Sequence, residues 1–347
     1  MSELALRPAY AGLEVYRRDD TPLRYDLSDN TNLFGSAPSA LASLAIWADR
    51  SPARYPSAGT GRLRAALAGW LGVSPDQIVA GCGSNDILDS AMRAFGAPGS
   101  VMAYAAPTFV MAAHFALANS LSVVAVPTDD EGAPDVDALI ATGARLIYLA
   151  TPNNPSGRAA GPDAVRKLVD RAPGVVILDQ AYSEYHDESW ASVAAGRDNV
   201  VVTRTFSKAW GLAGLRLGYA VGSARLVEEI AKARGPYKVN AIVEEAAAAA
   251  VENDQAWVAR VVAETRAARI RLGQSLRALG FAVLPSDANF LAVRVVDARR
   301  AADSLAARGI AVRAMTKVPV FGDLLRITIG PDPMMTALVE AMAGLPR

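Results

Sequence analysis

Seven short apolar runs, at residues 77–80, 101–103, 122–126, 146–150, 175–179, 200–203 and 217–221, are separated by helically patterned stretches such as 86–95, 109–117 and 162–171. A strand that is apolar at nearly every position has no face for water and must be covered on both sides. Helices between successive strands supply that cover and favour parallel pairing. The expectation is an α/β fold with a mostly parallel central sheet. After about residue 234 the pattern changes: a long helical region at 239–279, a strand at 289–295, a helix at 298–308, and strands near 310–313 and at 324–329. This reads as a smaller α+β unit. The first forty residues, rich in Pro, Asp and Asn, read as an arm. The expected organisation is residues 1–40 as arm and part of the small domain, 41–240 as the large domain and 241–347 as the small C-terminal domain.

Composition removes several function classes. Lys and Arg total 35 and so do Asp and Glu, so no basic excess points to nucleic acid or to an anionic membrane. The apolar window 111–126 is interrupted by His114, Asn119 and Ser120, which argues against a membrane span. The single cysteine, Cys82, cannot form an internal disulfide and fits a reducing cytoplasm. The opening MSELALRPAY lacks the pattern of a signal peptide. With two histidines and one cysteine, no metal site is expected. Only five residues are lysine, against 30 arginines, so each lysine can be weighed singly.

Ligands of α/β sheets bind beyond the carboxyl ends of the strands, so the loops there matter most. The first, Gly81-Cys82-Gly83-Ser84-Asn85, suits either an ordinary capped turn or an anion held at a helix start. The second, Thr151-Pro152-Asn153-Asn154-Pro155-Ser156-Gly157, is a Pro/Gly turn that could also put the Asn154 amide on a ligand oxygen. In the third, Asp179 ends an apolar strand, where a carboxylate needs a partner, with Tyr182 three residues on. The fourth carries Thr205, Ser207, Lys208 and Arg216: an amine in a desolvated loop, flanked by donors suited to phosphate. Each is weak alone, and the order of the four is the specific signal.

In NNPSG, DQAY and TFSKAWGLAGLRLGY the chain resembles the fold-type I pyridoxal-phosphate aminotransferases, closest to the histidinol-phosphate aminotransferase family, over Tyr10 to Gly330. The resemblance implies that fold, with pyridoxal 5'-phosphate as cofactor and Lys208 as its Schiff-base lysine. It implies Asp179 on the pyridine nitrogen, Asn154 and Tyr182 on the ring 3-oxygen, and Phe109 stacked on the ring. Ser84, Asn85, Thr205, Ser207 and Arg216 match the phosphate cup. Tyr55 matches a tyrosine that reaches the cofactor of a neighbouring subunit, which implies a homodimer. Arg313 and Arg326 match the arginines that hold the substrate's anionic ends, and Asn289, Asn32 and Tyr10 fall at substrate-side positions. The chain departs from the family at Asn30-Thr31-Asn32-Leu33, where Asn-Glu-Asn-Pro is common, at Gln180, where Glu is common, and at Lys238, where Asn or Pro is frequent.

The implied reaction exchanges an amino group between L-histidinol phosphate and 2-oxoglutarate. A broader aromatic or other amino-acid aminotransferase is the near alternative. A decarboxylase of a phosphorylated amino acid is a different class on the same scaffold, and a non-catalytic binding module is disfavoured by the intact Lys208 and Asp179.

Overall fold

The computed structural model describes residues 8–10, 12–15, 22–47 and 51–346. A two-residue strand, Tyr25–Asp26 (β1), precedes the seven strands of the large sheet: Ile78–Gly81 (β2), Val101–Ala106 (β3), Ser122–Pro127 (β4), Leu146–Ala150 (β5), Val175–Asp179 (β6), Val200–Thr205 (β7) and Gly218–Val221 (β8). Their order across the sheet is β2-β8-β7-β6-β5-β3-β4. β8 runs antiparallel to β2 and β7, and every other pairing is parallel. β5 and β7 are buried at every position and β6 at all but its first, as unbroken apolar runs require.

Helices cover both faces. Helix Gly83–Phe95 buries Ile87, Leu88, Ala91, Met92 and Phe95, a stripe at three- and four-residue spacing. With helix Ala224–Arg234 it closes a core against β3, β5 and β6. Helix Pro162–Arg171 begins with proline in its first turn, where the missing N–H costs nothing, and buries Val165, Leu168 and Val169. Another core gathers Phe206, Trp210, Tyr219 and Tyr185 with helices Gly61–Leu71 and Ala241–Asn253.

The second unit contains β9 (Phe290–Arg294), β10 (Ile310–Ala311), β11 (Arg313–Val318) and β12 (Gly322–Thr328). β11, β12 and β9 form an antiparallel sheet in that order. The single strand expected near 310–313 is in fact two. β10 pairs in parallel with β1, and after Val312 the chain enters β11 and pairs with β12 instead. The long helix Gln255–Ala278 joins the two halves: Val258 and Val262 enter the Phe206 core, while Ala268, Leu272 and Leu276 enter the core under β9 and β12.

The N-terminal segment is stitched across these parts. Leu27 exchanges backbone hydrogen bonds with Ala311 and Thr328, and Ala37 N–H donates to the Trp210 carbonyl. Gly211 has φ +67°, and a Cβ there would lie 2.1 Å from the Gly35 carbonyl oxygen. Gly211→Ala is therefore expected to lower the unfolding free energy by about 2 kcal/mol or more, through backbone strain and a forced displacement of the arm. Urea denaturation checks this; an unchanged midpoint would show that the arm does not hold this loop.

Candidate active site

The carboxyl ends of β5, β6 and β7 open into a cavity of about 560 Å³. Of the residues singled out by sequence, Ser84, Asn85, Phe109, Asn154, Asp179, Tyr182, Thr205, Ser207, Lys208, Arg216, Arg313 and Arg326 all line it.

At one side lies an anion cradle. Ser84 and Asn85 sit in the first turn of helix Gly83–Phe95 and do not cap it. The cap position is Cys82, whose N–H donates to Asp86 Oδ2 at 3.0 Å. Ser84 and Asn85 instead line the cavity, where the positive end of the helix favours an anion. Across from them, Thr205 Oγ1 and Ser207 Oγ are 3.0 Å apart, and Arg216 adopts a left-handed backbone with φ 53°. Two glycines keep the cradle open. A Cβ at Gly83 would meet Arg216 Nη2 at 2.8 Å, and one at Gly218 would meet the Ser84 backbone nitrogen at 2.2 Å. Hydroxyls, helix N–H groups and a guanidinium around such a space fit a phosphate.

Asp179 is buried, accepting from Tyr148 Oη at 2.8 Å and from the Ala181 N–H at 3.1 Å. Burial holds its pKa above the usual carboxylate range, and the Tyr148, Ala181 and Thr203 donors and the charge on Lys208 offset this only in part. A buried carboxylate held this way suits a protonated ring nitrogen. Tyr148 was not anticipated, because it lies within an apolar strand. The parallel register supplies the missing signal: Ala150 pairs with Asp179, and Tyr148 shares the face of Ala150.

Lys208 is half-buried. Its Nζ donates to the Asp29 carbonyl at 3.0 Å and lies 5.7 Å from the Tyr182 ring centroid. Desolvation, with the charges of Arg326 and Arg216, lowers its pKa to about 7 against the opposing pull of Asp29 and Asp179. The amine is thus a nucleophile near neutrality. Tyr182 Oη accepts from Asn30 Nδ2 at 3.0 Å. Arg326 spans two parts of the site: Nη1 donates to Asn154 Oδ1 at 2.8 Å and Nη2 to the Ser28 carbonyl at 2.7 Å. With its carbonyl so engaged, Asn154 retains its N–H₂ as the donor for a ligand. Arg313 Nη2 is 3.8 Å from Asp29 Oδ1.

Four expected residues lie outside the cavity lining. Asn289 is buried behind it, donating to the Asn30 carbonyl at 3.0 Å, and Asn32 donates to the Ala209 carbonyl at 2.9 Å; both hold the backbone around the site. Tyr10 borders a separate groove with Asp89, Arg93 and Asn119. Tyr55 is 83% exposed and stacks on Tyr237, ring centroids 4.9 Å apart. Asp29, Asn30, Thr108 and Tyr148 join the lining without having been singled out. Lys238, the departure noted above, pairs with Asp86 at 3.3 Å. Among the described residues no cluster of metal-ligating side chains occurs, and no helix is long and apolar enough to cross a membrane.

Residues 25–342 match the family model described as aminotransferase class I and II, so the chain belongs to that family and is a pyridoxal-phosphate-dependent aminotransferase of fold type I. It is 38% identical to histidinol-phosphate aminotransferase of Roseiflexus castenholzii, over 97% of each chain. It is also 38% identical to the enzyme of that name from Roseobacter denitrificans, over 91% of this chain and 90% of the relative. The structure is similar to histidinol-phosphate aminotransferase from Sinorhizobium meliloti in complex with pyridoxal-5'-phosphate, with TM-score 0.88 and 27% identity, covering 99% of this chain and 97% of that one.

The lowered pKa of Lys208 has a signature in stability. Below about 7 both the folded and the unfolded chain carry the ammonium, so the cost of burying it is fully present. Between about 7 and the ordinary 10.5 the folded chain has released the proton and the unfolded chain has not, so this cost fades as pH rises. In cofactor-free protein, Lys208→Met is expected to gain stability over the wild type most strongly below that lower value, and progressively less above it. A difference independent of pH in parallel urea titrations would refute the assignment.

Proposed function

We propose that the chain transfers an amino group from L-histidinol phosphate, or a related anionic donor, to 2-oxoglutarate. The carrying observation is that Arg313 and Arg326 are direct cross-strand partners on β11 and β12 and line the same cavity as Lys208. Like charges placed opposite each other weaken a sheet, and a substrate anion offsets that cost. The names of the relatives favour the histidinol phosphate end of this class.

The anion cradle of Ser84, Asn85, Thr205, Ser207 and Arg216 would hold the cofactor phosphate, and Phe109 would cover the ring. Asp179 would keep the ring nitrogen protonated, with Asn154 and Tyr182 on the 3-oxygen and Lys208 Nζ on the aldehyde carbon. When bound, the cofactor supplies an electron sink for bonds to the substrate Cα. Lys208, released as a free amine, takes the proton from Cα and returns it as an acid; a pKa near neutrality serves both steps. Arg313 and Arg326 orient the Cα–H bond toward Nζ by fixing the far end of the substrate. Tyr148 holds the Asp179 carboxylate in place. We further propose a homodimer in which exposed Tyr55 completes the neighbouring site, and a cytoplasmic location, in keeping with the single cysteine.

Lys208→Ala is expected to abolish the cofactor absorbance that borohydride reduction fixes onto the chain, and to lower transamination by about 10³-fold or more. Retention of that reducible absorbance would overturn the role of Lys208. Single-turnover reactions with a donor panel address the substrate: fast reaction of phenylalanine with none of histidinol phosphate would sink the histidinol phosphate reading. Release of carbon dioxide without glutamate would mark a decarboxylase. For Tyr148→Phe, the expectation is a kcat loss of about tenfold with cofactor still bound, since Asp179 loses one net donor.

A further inference from the structure

Asp29, Asn30 and Thr31 line the cavity, and their segment is held by side chains from elsewhere in the fold. Arg326 donates to the Ser28 carbonyl, Lys208 to the Asp29 carbonyl, and Asn289 to the Asn30 carbonyl. The Asn30 N–H donates to Thr328 Oγ1 at 2.9 Å. The Asp29 backbone is thereby held, and its carboxylate lies near Arg313.

The Asp29–Arg313 pair is a particular one. At 3.8 Å it is beyond hydrogen-bond reach, yet close enough for strong attraction. Both side chains keep partial access to solvent, at 22% and 31%. Both also line the cavity that holds Arg326 and Lys208. An anion that hydrogen-bonds Arg313 must share that guanidinium with a carboxylate whose backbone is anchored beside it. The repulsion grows with the charge of the incoming group.

We propose that Asp29 is a specificity-determining residue that tempers Arg313, weakening the hold on anionic substrate ends and doing so more for dianions such as phosphate than for monoanionic carboxylates. This rests on the reading of Arg313 as a substrate anchor. It implies that the charge on Asp29 contributes to the preference between phosphorylated and carboxylate donors. A chain with a neutral residue at this position would lean further toward phosphate.

The test uses the holoenzyme, with inorganic phosphate and acetate as probes in calorimetric titrations at a mildly alkaline pH, where phosphate is a dianion. Asp29→Asn keeps the shape and the backbone carbonyl while removing the charge. It is expected to tighten phosphate binding roughly fivefold, and acetate binding by less. Asp29→Glu restores the charge and is expected to bring phosphate affinity back toward that of the wild type. Arg313→Gln separates the anchoring role of Arg313 from the role given to Asp29. If it leaves phosphate affinity unchanged, the anchor reading itself fails. If it weakens phosphate while Asp29→Asn has no effect, or tightens acetate equally, the anchor stands and the role given to Asp29 is wrong.

Discussion

The site depends on a row of backbone carbonyls. Those of Ser28, Asp29 and Asn30 accept hydrogen bonds from Arg326, Lys208 and Asn289 in turn. Each donor comes from a different stretch of chain, and each would otherwise be a polar or charged group in a poorly solvated place. Burying such groups unpaired is costly, so the segment and its donors stabilise one another. The large sheet supplies Lys208 and Asp179, the smaller unit supplies Arg326 and Asn289, and neither alone would hold them at working distance.

Electrostatics within the cavity follow from that geometry. Burial and the charges of Arg326 and Arg216 outweigh the pull of Asp29 and Asp179 on Lys208, so its proton is held weakly. Asp179 lies deeper, with Tyr148 as its close donor, and keeps its acceptor character in spite of burial. Burial disfavours the charged form of both groups, and their immediate neighbours differ: arginines beside Lys208 add to the effect, while hydrogen-bond donors beside Asp179 oppose it.

Much of this was legible in the sequence, and the exceptions have physical reasons. β5 and β6 were expected at the residues where they occur, because a strand buried on both faces is an unbroken apolar run. The division of β10 from β11 was not, since nothing in Ile310–Val318 marks where pairing passes from β1 to β12. The cavity-lining residues in strand-end loops stood out by their chemistry. Tyr148 did not, as a tyrosine inside an apolar strand reads as core. Asn30 reaches Tyr182 by adopting φ 55°, a local choice that tertiary bonds impose. Asn289 and Asn32 were placed on the substrate side, yet act on the backbone around it. Gln180 looked like a change at the site and instead serves the packing behind it, accepting from Arg204 and from the Trp190 N–H.

The contact between the two ends of the chain also bears on how the protein is made. Asn30 meets Thr328, and Ser28 meets Arg326, across 298 positions. A ribosome can release the complete large sheet, with Lys208 already in its loop, while β12 is still untranslated. The lysine then lacks Arg326, one of the charges that lower its pKa in the finished fold. Docking of the smaller unit onto the large sheet is thus the step that completes the surroundings of the lysine.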